Sequence, residues 1–173
     1  MCRTCPLLHR TDICGVVQRL PRRVSVPQAQ VRFLPPLLMK ILTLIIKQKW
    51  FDAILSGEKT VETREVRPTN TKYISYRDNN TGKVYKKDSD VPESAWDSEK
   101  GVDTVINHYD AIQFWVGYEK NRPGALVEVK GVELVDVCDE ETKEPIVYEH
   151  NGNEYTMTEI DYHLGKVIEK MNC

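Results

Sequence analysis

Lysine and glutamate are absent from the first 38 residues of this chain, where six Arg and a single Asp leave a balance of +5. All fourteen Lys follow Met39, and residues 39–173 carry 18 basic and 25 acidic side chains, so the formal net charge of -2 hides a split. Proline is uneven too, with five of nine before Met39. The scatter from Pro21 to Pro36 leaves no uninterrupted amphipathic import helix, and no signal-like apolar segment precedes a small-residue cleavage site. No apolar run approaches the roughly 20 residues of a bilayer-spanning helix, so no membrane association is expected. Cysteine is scarce: Cys138 and Cys173 are too few for a disulfide framework and point to a reducing, cytoplasmic setting. Cys2-x-x-Cys5 with His9 and Cys14 is one pair without a second, and His108, His150 and His163 are dispersed, so neither a metal nor another cofactor is expected. The expectation is an N-terminal extension over 1–38, disordered or non-native, followed by one domain over 39–173.

The long part of the chain alternates short apolar stretches with turn residues. KILTLIIK (40–47) is β-branched and apolar at successive positions, which predicts a strand buried on both faces. Trp50, Phe51, Ile54 and Leu55 recur at helical spacing and predict a two-turn helix with all four on its apolar face. Gly57 follows as a residue able to take the left-handed conformation that ends a helix. Thr60, Val61, Thr63 and Val66 then return the chain to a strand at about residue 60. KYISYRDNNTGKVYKK alternates around Asn79-Asn80-Thr81-Gly82 and predicts a hairpin. SDVPESAWDSEKG reads as a polar loop anchored by Trp96. YDAIQFWVGY and GALVEVKGVELVDV predict central strands, Asn151-Gly152 marks a second hairpin, and DYHLGKVIEK supplies the last strand. Many short strands with one small early helix predict an α+β, mainly β fold, a barrel with a short N-terminal helix and few additional helical turns.

SGEKTVETREV, the helix-to-strand corner, gathers charge. A strand starting near Thr60 points Glu62 and Arg64 to one face, while Lys59 sits on the turn before it. Three charges pairing at a wet edge would contribute little. Converging at a barrel mouth, they have two uses. Lys59 can act as a base or nucleophile activator with Glu62 as its partner. Alternatively, Lys59 and Arg64 meet phosphate or carbonyl oxygens while Glu62 accepts from a base amine.

The first hairpin carries a second signal. Lys72, Arg77, Lys83, Lys86 and Lys87 face Asp78 alone, with Tyr73, Tyr76 and Tyr85 among them. Basic groups for phosphates interleaved with rings for bases make Tyr76, Arg77, Lys83, Tyr85, Lys86 and Lys87 nucleic-acid-binding candidates. The plainer reading is an edge hairpin whose lysines discourage strand aggregation. The acidity of the rest of the domain fits a short strand, a loop or a single nucleotide better than a long polyanion. Trp50 and Trp115 are expected in the core, and Trp96 as a lid.

Gly57-x-Lys59-x-x-Glu62-x-Arg64, following a strand and Trp-Phe-x-x-Ile-Leu-Ser, resembles the signature of the ASCH domain family, related to PUA domains. The similarity covers essentially 40–170. It implies a PUA-like β-barrel in which Gly57, Lys59, Glu62 and Arg64 line a ligand cleft, with RNA or a (modified) nucleotide as partner. Some small relatives are enzymes: one group hydrolyses the acyl amide of an acetylated cytidine with a Lys, a Thr three residues later and a distal Glu, and another member is a ribonuclease. Here Lys59 matches the lysine, Glu62 occupies the threonine position, and Glu154 or Glu159 is the candidate distal carboxylate. Thr60 and Thr63 fall one residue out of register, on the opposite face of a strand. Three functions follow as expectations. The first is an RNA- or nucleotide-binding module. The second is a small hydrolase of a modified nucleoside or of RNA using Lys59 and Glu62. The third is a non-catalytic small-ligand or protein-interaction module.

Overall fold

The computed structural model describes residues 39–172. The fold is mainly β: ten strands and a few short helical segments lie among the described residues. The five-stranded sheet has the order β1 (Ile41–Ile46), β6 (Ala111–Val116), β7 (Gly124–Asp136), β10 (Thr158–Met171), β2 (Val61–Val66). A three-stranded sheet sets β3 (Ile74–Asp78) between β4 (Val84–Tyr85) and β5 (Val102–Ile106), and β8 (Val147–His150) pairs with β9 (Asn153–Thr156). No helix among the described residues is long and apolar enough to cross a membrane.

The described residues fall into two compact units. In the first, Arg64–Asn107 with Leu134–Ile160, the 72–87 stretch forms the predicted hairpin, with Tyr76 opposite Tyr85 and Arg77 opposite Val84. Its turn is fixed by Asp78, which accepts from the Asn80 N–H at 2.8 Å and from the Thr81 hydroxyl at 2.6 Å. The β5 strand, which had no expected counterpart, covers the other edge of β3 from Ile74↔Ile106 to Asp78↔Val102. The expected loop after the hairpin holds a 3-10 turn over Asp88–Asp90 and a single-turn helix α2 (Glu93–Trp96). Asn151 and Gly152 take φ of 53° and 78°, the left-handed pair a two-residue hairpin turn requires, and join β8 to β9. Tyr73, Ile74, Tyr76, Val91, Tyr155 and Ile160 are buried in this unit.

In the second unit, Met39 to Thr63 with His108–Glu133 and Asp161 onward, β1 runs parallel to β6 from Ile41↔Ala111 to Ile46↔Val116. The expectation of a β1 buried on both faces is corrected: Leu42, Leu44 and Ile46 are buried, while Ile41 and Thr43 are exposed. Among the described residues, neighbours cover mainly one face of the strand. Helix α1 (Gln48–Ser56) buries Phe51 and Ile54. Each such burial contributes about 1.5–3 kcal/mol. Its C-terminus closes as the glycine predicts. Gly57 lies at φ 80°, its N–H donates to Ile54 O at 3.1 Å, and the Lys59 N–H folds back to Ala53 O at 2.9 Å. The β6 and β7 strands pair antiparallel and bury Ala111, Ile112, Phe114, Ala125 and Val127 completely. The expected central position of both is observed.

Two core assignments change. Trp50 is 45% exposed, because the helix turns Phe51 and Ile54 inward and leaves its neighbour outside. Trp115 is half-buried, with the Arg122 guanidinium 5.2 Å from its ring. Cys138 is disulfide-bonded, where a reducing setting without disulfides was expected. The Cys2, Cys5, His9 and Cys14 pattern, and the extension as a whole, lie outside the described residues.

Candidate functional site

The corner after α1 is built from backbone upward. The Gly57 turn and the Lys59 N–H bond to Ala53 set Lys59 two residues before the start of β2. Leu164 N–H donates to Thr60 O at 2.8 Å, which ties that approach to the β10 segment beside it. Glu62, the second residue of β2, is only 4% exposed. Its Oε2 lies 3.3 Å from Lys59 Nζ, whose side chain is 23% exposed. The structure thus brings Lys59 and Glu62 together as a partly buried ion pair, well beyond the wet surface pair that contributes little.

Trp50 completes this grouping and was not expected in it. Lys59 Nζ sits 5.2 Å from the Trp50 ring centroid and Lys49 Nζ 4.4 Å from it. The ring is exposed and two ammonium groups stand over it, one of them paired with a buried carboxylate. Helical spacing marked Trp50 as apolar but did not distinguish it from its inward neighbour Phe51. The Lys-Trp dipeptide opening the helix is the signal that was available.

Arg64 follows Glu62 by two residues on β2 and belongs to the first unit, where it is half-buried with its Nε shielded from solvent. Thr63 is exposed and donates its hydroxyl to Asp161 Oδ1. It therefore points away from the face that Glu62 buries. Glu154 is exposed on β9 and Glu159 half-buried on β10, both in the first unit.

The hairpin candidates separate by burial. Tyr76 is 4% exposed, which corrects its place among the stacking rings: β4 and β5 flank it, and Trp96 packs edge-on at 6.1 Å between centroids. Tyr73 is buried as well. Trp96 is accordingly a half-buried packing partner in its own unit. Tyr85 stays half-exposed with Lys83 Nζ 4.6 Å from its ring, while Lys86 and Lys87 are exposed. Arg77 is exposed and spends one nitrogen on Asp103 at 3.4 Å.

The first unit also contains a small apolar hollow lined by Arg67, Ile74, Tyr76, Tyr148, Tyr155 and Thr158, with a volume of about 20 Å³. That is room for about one water molecule and far from a nucleotide. Tyr148 stacks on Tyr155 at 6.0 Å, and burial raises its phenol pKa above the ordinary value. Tyr155 in turn donates to Asp88 at 2.7 Å. These contacts consolidate the unit. No group of His, Cys, Asp and Glu among the described residues has the arrangement of a metal site. No family model, no curated protein and no solved structure matches this chain.

Proposed function

We propose that residues 39–173 form an ASCH-type domain of PUA-like barrel architecture that binds RNA or a (modified) nucleotide at the corner following α1. Lys59 and Glu62 are its centre, and Arg64 is the member that the family resemblance adds. The supporting observation is the Lys59–Glu62 pair itself: a lysine 3.3 Å from a carboxylate that is 4% exposed. A carboxylate taken that far out of water is costly to keep. At a helix-to-strand turn it holds one ammonium in a fixed direction, as recognition of a carbonyl or phosphate oxygen requires. In the first unit, the exposed Lys83, Lys86 and Lys87 of the hairpin are candidate phosphate contacts in their own right. A cytoplasmic setting goes with this reading.

The test is equilibrium binding of the full chain to single-stranded RNA and to nucleoside monophosphates at low salt. Lys59→Gln, which loses the charged donor, should weaken binding by about 10-fold or more. Unchanged affinity in that variant removes the corner from the site, and no binding by the wild type removes the function. The same ion pair would also serve a hydrolase of an acylated cytidine. Release of the free acid by the wild type but not by Lys59→Gln would replace the binding reading with that one.

A further inference from the structure

We infer that Trp50 is the stacking platform for the base of a nucleoside monophosphate unit and that Lys49 is its phosphate contact. The inference rests on the nucleotide-binding reading above and deepens it by fixing what the ligand must carry: a flat base and an anionic group.

Trp50 stands in the first turn of α1, next to Phe51, and the two residues have opposite fates. Phe51 is 2% exposed and Trp50 is 45% exposed. A lone exposed aromatic needs no explanation, but this one is flanked. Lys49 Nζ and Lys59 Nζ stand 4.4 Å and 5.2 Å from its ring centroid. Lys59 is also held by Glu62 Oε2 at 3.3 Å. One cation is thus anchored and the other, on an exposed side chain, is able to move.

An exposed indole with ammonium groups over its ring matches a ligand that is both planar and negatively charged. The base takes the place of the exposed Lys49 ammonium on the ring as that ammonium turns to the phosphate. Every nucleobase offers a π-face for such stacking, without regard to sequence. The Glu62 carboxylate next to Lys59 divides the work between the two lysines. A phosphate brought to Lys59 would also approach that carboxylate, so the phosphate belongs at Lys49. Lys59 is left to meet a carbonyl oxygen on the base edge. A phosphotyrosine peptide also combines a ring with a phosphate, but it offers Lys59 no such oxygen in the plane of the ring. An uncharged nucleoside leaves Lys49 without an ionic partner. The same monophosphate unit occurs free and within single-stranded RNA, and the two sources are separable by affinity.

Isothermal calorimetry on the full chain tests this with nucleoside monophosphates, the matching nucleosides, a short single-stranded RNA and phosphotyrosine. Trp50→Ala should lose about 5- to 100-fold in affinity for monophosphate and RNA, the range that removal of a stacked base gives, while Trp50→Phe keeps most of it. Lys49→Gln should abolish the preference for monophosphate over nucleoside. Tighter binding of RNA than of the free monophosphate assigns the unit to RNA, and equal binding assigns it to the free nucleotide. Wild-type affinity in both Trp50→Ala and Lys49→Gln overturns the inference while leaving nucleotide binding intact. Preferential binding of phosphotyrosine overturns it as well. A wild type that binds none of the probes overturns both readings together. Because Trp50 is exposed, its variants should melt with the wild type. Trp50→Phe also provides a second readout, since it should lose the ligand-induced change in indole emission while Trp96 and Trp115 remain.

Discussion

A carboxylate out of water must find donors, and two acidic residues of this chain do so in different ways. Glu62 meets an ammonium across a turn, at 3.3 Å. Asp78, 5% exposed, stays within its own turn and accepts from the Thr81 hydroxyl at 2.6 Å and the Asn80 N–H at 2.8 Å. The first arrangement leaves a charged group facing outward, and the second consumes its donors locally. On the proposed reading Glu62 belongs to the site, whereas Asp78 holds its own turn together. The hydrogen bonds to Asp78, that from Thr81 foremost, hold its carboxyl pKa below the ordinary aspartate value. A lowered pKa in the fold means the ionised form is favoured there. The stability it contributes is therefore complete above the ordinary value of about 3.9 and is lost as pH falls through the lower folded value. Thr81→Val removes the hydroxyl donor and keeps the β-branch. It should lower the melting temperature by a few degrees at neutral pH, and the two melting curves should converge as pH falls through the lowered folded value. A difference that stays constant down to acid pH would mean that the valine acts through packing and not through the carboxylate.

At the scale of elements, the corner depends on how one helix ends. Gly57 sits at φ 80°, and a Cβ built there would meet nothing within 4 Å. The cost of Gly57→Ala is therefore backbone strain alone, about 1 kcal/mol. For a domain of this size that is a fall of about 2–5 °C in melting temperature, and Gly57→Asn should lose less because Asn tolerates the left-handed region. A loss several times larger, seen in a urea titration, would show that the turn carries tertiary contacts beyond its cap. This stop was legible in the sequence because it is local: an apolar pair at helical spacing, then glycine, then β-branched residues. Both hairpins were legible for the same reason, through Asn79-Asn80-Thr81-Gly82 and Asn151-Gly152. What depends on distant partners was not. Val102–Ile106 is too short and too interrupted by polar residues to announce a strand, and it becomes one by pairing with β3. The parallel match of β1 to β6 joins segments about seventy residues apart, a pairing that no periodicity encodes. Tyr76 reads as an exposed ring among lysines until β5 and Trp96 cover it. Trp50 shows the converse, an apolar residue at helical spacing that its helix turns outward.

For the whole chain, charge sets what kind of nucleic-acid binding the proposed function allows. Residues 39–173 carry 18 basic and 25 acidic groups, a balance of -7, and the extension adds +5. A protein that wraps a long polyanion needs many phosphate contacts, and each released counterion steepens the salt dependence. Here the candidates are few. Lys49 lies beside Trp50, and Lys83, Lys86 and Lys87 stand on the first hairpin. With roughly two to four phosphates neutralised, the logarithm of affinity for single-stranded RNA should fall against the logarithm of salt with a slope of about -1.5 to -3. Changing Lys83, Lys86 and Lys87 together to Gln should flatten that slope if the hairpin is engaged. Lys49→Gln should reduce it by about one contact's share. Because the acidic majority repels a polyanion at long range, lengthening the RNA beyond the contacted stretch should add little affinity at low salt. The titration therefore weighs two pictures against each other. A shallow slope that is insensitive to RNA length fits recognition of one or a few nucleotides at the corner. A slope steeper than about -5 that grows with RNA length would mean that phosphates are met over a far larger basic surface than these lysines provide.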